Sequence, residues 1–104
     1  MIRLPFPAAL TLAISLVPSA LAQQADSSLG RNLAAACANC HGTNGVSQPG
    51  MPSLAGRERS YLAQQMQDFR TGKRPATVMH QIARGYTEEQ VEAIAAYLSA
   101  QKTR

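Results

Sequence analysis

The hydrophobic residues follow two different patterns along the 104-residue chain. The first 22 residues are almost uncharged and rich in Ala, Leu and Pro, whereas later apolar residues recur every three or four positions, as in amphipathic helices. No run alternates between apolar and polar positions as a strand does, so the predicted fold class is all-α. The predicted helical segments are Ser27 or Ser28 to about Cys40, about Ser60 to Thr71, a short turn between Pro75 and Gly85, and Thr87 to about Gln101.

Each long predicted helix has an apolar stripe that we expect to face the core. Gly72 is placed to end the second helix, and Thr87 to Gln90 form a capping box at the start of the last helix. Gly42 to Gly56 is rich in Gly, Pro, Asn and Ser, and is predicted to be a loop. The stripes are Leu29, Leu33 and Ala36; Leu62, Met66 and Phe69; and Val91, Ile94, Ala95 and Leu98, while the short turn carries Val78, Met79 and Ile82.

The N-terminal pattern is that of an export signal. Arg3 supplies a positive charge, residues 8–17 an apolar stretch, and residues 20–22 a small-x-small cleavage site before Gln23. A membrane span needs about 20 apolar residues, roughly twice this stretch, so an uncleaved anchor is the less favoured interpretation. We therefore expect residues 1–22 to be a cleaved signal peptide and residues 23–104 to form one periplasmic domain, with no stable membrane insertion after cleavage.

Composition and charge narrow the classes of function. Hydrophobic residues make up 45% and charged residues 15%, which is typical of a globular domain. The formal net charge of +4, from 10 basic and 6 acidic residues, is too small to indicate nucleic-acid binding, and no nucleic-acid partner is expected. The 82 residues left after cleavage bury a modest core, which often needs a disulfide, a metal or another staple.

The two cysteines supply a specific candidate for this staple. Residues 37–41 read Cys-Ala-Asn-Cys-His, which is C-x-x-C-H, the attachment signature of c-type haem. The thiols of Cys37 and Cys40 can each add to one porphyrin vinyl group, and the imidazole of His41 then lies beneath the ring, facing the iron. The motif occurs once, so we expect one covalently attached haem c per chain.

Two haem-free interpretations are the alternatives. A structural zinc site needs four ligands, and beside the motif's own three the remaining good candidate is His80. A thiol–disulfide exchange protein places its C-x-x-C at a helix N-terminus, where the dipole lowers a thiol pKa. Here apolar residues at helical spacing precede the motif, so we expect it to close a helix instead of opening one. This placement favours haem.

Residues 37–104 resemble a class I cytochrome c, in the branch that includes cytochrome c4 and the haem subunit of flavocytochrome c sulfide dehydrogenase. Met-x-x-Ile-Ala-x-Gly-Tyr, from Met79 to Tyr86, is most similar to the sulfide dehydrogenase subunit. Cytochrome c4 carries two haem domains, whereas this chain has one attachment motif. The similar stretches are Cys37 to Gly45, Met51 to Gly56, Tyr61 to Gly72, Arg74 to Tyr86 and Ala95 to Leu98.

The resemblance implies a small class I cytochrome c fold, with helices packed around one haem. It also implies that the backbone carbonyl of Pro52 accepts a hydrogen bond from the ring of His41, as iron-bound histidines generally require. Leu54, two residues later, would then pack on the haem edge.

A sixth iron ligand is expected among the methionines. Met66 lies on the apolar stripe of the second helix, and Met51 lies in the loop that leaves the His41 side of the haem. Met79 lies between the second and last helices, where a loop can cross the opposite face, and the family's ligand methionine matches this position. The alternatives are His80 and an open site. A His/Met ligand pair raises the reduction potential relative to two imidazoles.

These features predict a single-electron carrier with no catalytic site of its own. The resemblance favours a haem subunit that accepts electrons from a sulfide-oxidising flavoprotein, and the alternative is a free periplasmic carrier similar to cytochromes c4, c5 or c553. Basic residues flank the Met79 segment, where they would steer an acidic redox partner or pair with haem propionates. They are Arg70, Lys73, Arg74 and Arg84.

Overall fold

Helices and helical turns form the regular structure of the chain. A computed structural model describes residues 1–9, 12–15 and 28–103, and these ranges contain no β-strand, in agreement with the predicted all-α class. The elements are α1 over residues 28–34, a 3₁₀ turn over Ala35–Cys37, α2 over Ala38–His41, a second 3₁₀ turn over Thr43–Gly45, α3 over Arg59–Thr71, α4 over Met79–Ala83 and α5 over Glu88–Ser99.

The predicted export signal is only partly covered by the structure. Residues 1–9 and 12–15 have no regular secondary structure. The predicted cleavage site, at residues 20–22, and the alternative first helix cap Ser27 lie outside the described residues. Among the described residues, no helix has the length and apolar character needed to cross a bilayer.

The ends of α3 and α5 follow the predicted local signals. Gly72 ends α3 in the left-handed conformation, with φ 80° and ψ 4°, which an L side chain rarely adopts. At the start of α5 the side chain of Thr87 accepts a hydrogen bond from the backbone N–H of Gln90 at 3.1 Å. The backbone N–H of Thr87 donates in return to Oε1 of Gln90 at 2.9 Å, so the predicted capping box is confirmed.

The first predicted helix is interrupted, contrary to the expectation of one helix up to Cys40. The α-helical winding of α1 stops after residue 34, and a 3₁₀ turn follows before α2 begins at Ala38. No Gly or Pro lies between residues 31 and 37, so no local breaker marked the change. The loop predicted over residues 42–56 likewise contains the second 3₁₀ turn.

The core forms where α5 packs against α3 and α1. The whole predicted stripe of α5 is buried, and in α3 Leu62 is buried while Met66 and Phe69 are half-buried. In α4, which packs on α3, Ala83 is the buried residue. The central cluster consists of Ala34, Leu62, Ile94, Ala95 and Leu98.

Small residues bring α1 close to α5, whereas the sequence pattern predicted larger ones. Gly30 and Ala34, four residues apart, are buried, while Leu29 is 38% exposed and Ala36 is exposed. A Cβ atom at Gly30 would lie 2.4 Å from the backbone oxygen of Ala93 on α5. The prediction for Leu29 was wrong because the two backbones approach too closely for a large side chain between them, and the prediction for Ala36 was wrong because α1 ends before it and Ala36 lies in the 3₁₀ turn.

We therefore expect Gly30→Ala to lower the free energy of unfolding by about 1–3 kcal/mol through overpacking. This is the net loss that we expect after the gain of up to about 1 kcal/mol that alanine otherwise brings to a helix interior. Urea unfolding of the haem-loaded protein measures the change. Asn32→Ala, at an exposed position of the same helix, is the control and should stay within about 0.5 kcal/mol of the wild type. A Gly30→Ala protein as stable as the wild type would contradict the close approach.

Candidate functional site

The two cysteines lie three residues apart at the junction of the first 3₁₀ turn and α2. Cys37 ends the turn and is the N-cap residue of α2, while Cys40 lies within α2. They are not joined by a disulfide. Cys37 is half-buried and packs against the core, and Cys40 is exposed. Residues three apart on a helical turn share one face, so both sulfur atoms can reach the same ligand.

The electrostatics of Cys37 disfavour thiol–disulfide exchange. The expectation that the motif closes a helix was wrong in part, because Cys37 opens the four-residue α2. Nevertheless, burial raises the pKa of the Cys37 thiol above its ordinary value, and this outweighs the lowering by a backbone hydrogen bond. The thiol is therefore protonated at neutral pH, whereas a redox-active cysteine needs a lowered pKa.

The structure also gives no support to the zinc interpretation. In the described ranges, no three His, Cys, Asp or Glu side chains are grouped so that they could hold a metal ion. His80, the fourth ligand that this interpretation requires, lies on α4 and is half-buried. A structural zinc site needs four converging donors, so the described residues do not provide one.

His41 is the buried polar residue of the site. It ends α2, and its Nδ1 lies 2.7 Å from the backbone oxygen of Pro52. Because a carbonyl can only accept, Nδ1 carries the proton and donates it. Nε2 is therefore left as the ring nitrogen with a lone pair for a metal. The hydrogen bond implied by the resemblance is present in the structure.

The chain turns sharply after His41 so that Pro52 can reach it. Gly42 has φ 82°, and a Cβ atom there would lie 1.9 Å from the backbone oxygen of Val46. Only glycine fits this turn, which directs residues 42–56 back past the imidazole. We call residues 42–56 the proximal loop.

Hydrogen bonds across the proximal loop hold Pro52 in place. The backbone oxygen of Gly45 accepts from the N–H groups of Leu54 at 2.8 Å and Ala55 at 3.2 Å. The N–H of Ser47 donates to Oγ of Ser53 at 2.9 Å. Leu54 is half-buried and packs against the core cluster, as a residue beside a prosthetic group would.

The candidate methionines lie on separate elements. Met51 is 43% exposed and precedes Pro52, so it belongs to the loop that holds His41. Met66 is half-buried on α3. Met79 is half-buried at the first position of α4, which packs on α3. Met79 therefore lies on a different element from His41, as a ligand from the opposite side requires.

His80, the alternative ligand, has an unusual environment. Its Nδ1 is buried and has no hydrogen-bond partner within the described part of the chain. Buried polar nitrogens are nearly always hydrogen-bonded or bound to a metal. His80 is therefore the second candidate for this ligand position.

The described residues fit a haem in their donors and in their core. Of the eight buried hydrophobic residues four are alanine, and none of the described large side chains is completely buried. A core this small gains most from a large apolar group. Two thiols three residues apart can each bond one porphyrin vinyl group. The candidate iron ligands are an imidazole whose Nδ1 is hydrogen-bonded and whose Nε2 has a lone pair, and a half-buried thioether. The fold and the site together define a small all-α haem protein of the electron-transfer class.

Comparison with known proteins identifies the family. Residues 27–102 match the cytochrome c family, and the chain therefore belongs to it. Haem c in this family is covalently bound, and the cysteine spacing of the chain agrees with it. The predictions of a class I cytochrome c fold, a haem c cofactor and single-electron transfer are thus confirmed.

The relatives include a cytochrome subunit and an electron acceptor of named dehydrogenases. The chain is 43% identical over 70 residues to the cytochrome subunit of sulfide dehydrogenase of Chlorobaculum tepidum, covering 67% of this chain and 64% of that protein. It is 43% identical over 74 residues to the thiosulfate dehydrogenase electron acceptor of Stutzerimonas stutzeri, covering 68% and 34%. The chain spans less than two thirds of either relative. These names are those of a cytochrome subunit and an electron acceptor, in agreement with a role in electron transfer without catalysis.

A solved structure supports the same fold. Reduced cytochrome c4 from Pseudomonas stutzeri superposes with a TM-score of 0.70 at 28% sequence identity, over 76% of this chain and 50% of that one.

Two tyrosines near the site were not singled out from the sequence. Tyr86 packs against the core, and burial raises the pKa of its phenol. Tyr97 donates a hydrogen bond to the side chain of Asn44 in the proximal loop. Tyr86 stood within a recognised motif, but no sequence signal pairs Tyr97 with Asn44, because 53 residues separate them.

Proposed function

We propose that this cytochrome is an exported monohaem electron carrier in which His41 and Met79 would hold the haem iron. The observation that supports this proposal most strongly is the hydrogen bond from Nδ1 of His41 to the oxygen of Pro52, which reserves Nε2 for iron. Cys37 and Cys40 would hold the porphyrin by thioethers. When bound, the haem iron supplies a one-electron Fe(III)/Fe(II) couple.

The residues around the site have separable tasks in this proposal. Pro52 fixes the tautomer and orientation of the His41 ring, and its own φ is fixed by its pyrrolidine. The soft thioether sulfur of Met79 would favour the reduced state of a bound iron and would keep small ligands from binding to it. Leu54 contributes apolar surface from within the proximal loop, where it packs against the core cluster.

We further propose that the redox partner is a sulfide-oxidising flavoprotein, with this chain as its haem subunit. The relative from Chlorobaculum tepidum supports this choice. The α4 segment also offers an apolar surface, because Val78 is 51% exposed and Ile82 38% exposed. A permanent interface needs such an apolar centre, and stable ones bury about 1,200–2,000 Å² in total.

Basic residues flank the α4 segment in the sequence. All four predicted residues are exposed: Arg70 in the last turn of α3, Lys73 and Arg74 just after it, and Arg84 at the end of α4. Arg74 is engaged within the chain, since its guanidinium lies 4.9 Å from the centre of the Phe69 ring and bonds Gln65. Within the described ranges the one ion pair joins Arg59 to Glu92, so Lys73 and Arg84 are available to a partner.

A co-expression experiment tests the partner. We expect the chain and the flavoprotein to elute as one complex on gel filtration in about 0.5 M salt, where the screening length falls to about 4–5 Å and surface charges contribute little. Elution of the cytochrome as a monomer under every condition would contradict the subunit proposal.

A free diffusing carrier is the second candidate, supported by the relative that is an electron acceptor and by the unpaired basic residues. Such a carrier relies on electrostatic steering, so its rate of electron transfer should fall steeply as salt rises. The variant carrying Lys73→Glu and Arg84→Glu should slow it without a change in potential. Lys102→Glu, an exposed change of the same sign after α5, should slow it much less.

A further inference from the structure

Two consecutive residues of α5 fasten the two ends of the proximal loop. The hydroxyl of Tyr97 donates to Oδ1 of Asn44, near the start of the loop, at 2.6 Å. The backbone oxygen of Leu98 accepts from the N–H of Gly56, at the end of the loop, at 3.0 Å. The segment that carries Pro52 is therefore held at both ends by hydrogen bonds to one helix, and we call these two hydrogen bonds the anchors.

The first anchor holds a residue in an uncommon conformation. Asn44 has φ 54° and ψ 25°, and it is the non-glycine residue with positive φ in the described chain. Asparagine tolerates this left-handed region better than most residues, but an asparagine can equally adopt the ordinary conformations with negative φ. The short hydrogen bond from Tyr97 favours this conformation over the alternatives.

The conformation of Asn44 is coupled to the acceptor of the His41 proton by contiguous hydrogen bonds. Asn44 immediately precedes Gly45, whose backbone oxygen accepts from Leu54 and Ala55. Leu54 follows Pro52 by two residues, and Pro52 accepts from Nδ1 of His41. A shift of the 3₁₀ turn over Thr43–Gly45 therefore also moves the part of the proximal loop that carries the Pro52 oxygen.

We propose that Tyr97 is a positioning residue for the axial imidazole, acting through Asn44 on the hydrogen bond between His41 and Pro52. The inference rests on the proposed role of His41 as iron ligand. A strong hydrogen bond at Nδ1 makes the imidazole a better electron donor and favours the oxidised iron. When the proximal loop is held less firmly, the hydrogen bond between His41 and Pro52 weakens. Loss of the Tyr97 hydroxyl therefore raises the reduction potential.

The central variant is Tyr97→Phe, which removes the hydroxyl and keeps both the ring and the Cβ atom that lies near Gly30. We expect the electron-exchange equilibrium with a reference redox protein to shift about three- to tenfold towards the reduced cytochrome, where tenfold corresponds to about 59 mV for one electron. The Nδ1 proton of His41, followed by NMR, should exchange faster with solvent. Tyr61→Phe is the matched control, because Tyr61 is exposed and its hydroxyl makes no hydrogen bond in the described structure.

Variants of the acceptor separate positioning from packing. Asn44→Gly removes Oδ1 but keeps access to positive φ, so it should shift the potential as Tyr97→Phe does. The double variant should shift it no further, because both changes remove one interaction. Asn44→Asp keeps an oxygen that can accept from the Tyr97 hydroxyl, so its reduction potential should stay closer to that of the wild type than the potential of Asn44→Gly does.

The outcomes distinguish this inference from the function on which it rests. Absorption spectra and mass of the wild type are recorded first, and a protein without haem overturns both proposals. A haem-loaded Tyr97→Phe protein with unchanged potential and unchanged proton exchange, even if less stable, overturns the positioning role alone. If Tyr97→Phe does not fold, Asn44→Gly makes the same decision at the exposed end of the hydrogen bond.

Discussion

Met79→Ala should abolish the weak near-infrared absorption band of the oxidised, sulfur-ligated haem. The variant removes the thioether while leaving α4 intact, since alanine is a good helix former at the first position of Met79–Ala83. Loss of the soft ligand should lower the reduction potential, and CO should bind to the reduced protein. Absorption spectroscopy with and without CO, together with a redox titration, measures all three effects.

Met66→Ala is the matched control for this prediction. Met66 is half-buried on α3, so its truncation should cost about 1–2 kcal/mol of stability, less than a fully buried methionine, with the haem spectrum retained. If Met66 instead of Met79 controls the near-infrared band, the assignment of the distal ligand is wrong.

A double variant decides the role of His80. Its buried and unpartnered Nδ1 makes the imidazole available should the thioether be lost. If Met79→Ala gives a six-coordinate haem that refuses CO, and adding His80→Gln restores CO binding, then His80 replaces Met79 in the single variant. If His80→Gln alone removes the native ligation, then His80 is the native ligand and the Met79 proposal fails.

Most of the helical framework could be predicted because its signals are local. The stripe from Val91 to Leu98 repeats at helical spacing, the capping box starts α5, and Gly72 ends α3 where glycine alone is comfortable. The last helix ends at Ser99, two residues earlier than predicted, because the side chains of Ser99 and Gln101 donate to carbonyls of the final turn.

The first helix was predicted less well because its packing is decided by a distant element. Large apolar residues at helical spacing suggested an inward face containing Leu29, but Gly30 faces α5 because the carbonyl of Ala93 approaches it closely. The 3₁₀ turn over Ala35–Cys37 has no marker residue either. Contacts between residues about 60 positions apart leave no periodic trace in one sequence.

In the candidate site, too, the contiguous features could be predicted from the sequence and the pairings between distant residues could not. The C-x-x-C-H pentapeptide is contiguous, so its spacing alone indicated haem. The pairing of His41 with Pro52 spans 11 residues and came only from the resemblance. The pairing of Tyr97 with Asn44 spans 53 residues and joins a helix to a turn with a positive φ, which no local rule predicts.

The largest effect on the protein as a whole is expected from loss of a thioether. Cys40→Ala should leave the haem attached through one sulfur at most and sharply lower the yield of haem-loaded protein. Cys40 is exposed, so this loss reflects attachment and not packing. Mass spectrometry of the wild type, produced with haem maturation machinery, should show the added mass of one haem.

Cys37→Ala should be worse than Cys40→Ala, because Cys37 also packs against the core cluster. Cys37→Ser keeps the volume near that of the thiol and provides the control: a yield as low as that of Cys37→Ala assigns the defect to the missing thioether. A substantially higher yield of haem-loaded protein with serine would assign much of the defect to packing. A wild-type protein of unmodified mass, matured under the same conditions, would contradict covalent attachment, and with it the role of His41 as the ligand that follows the second thioether.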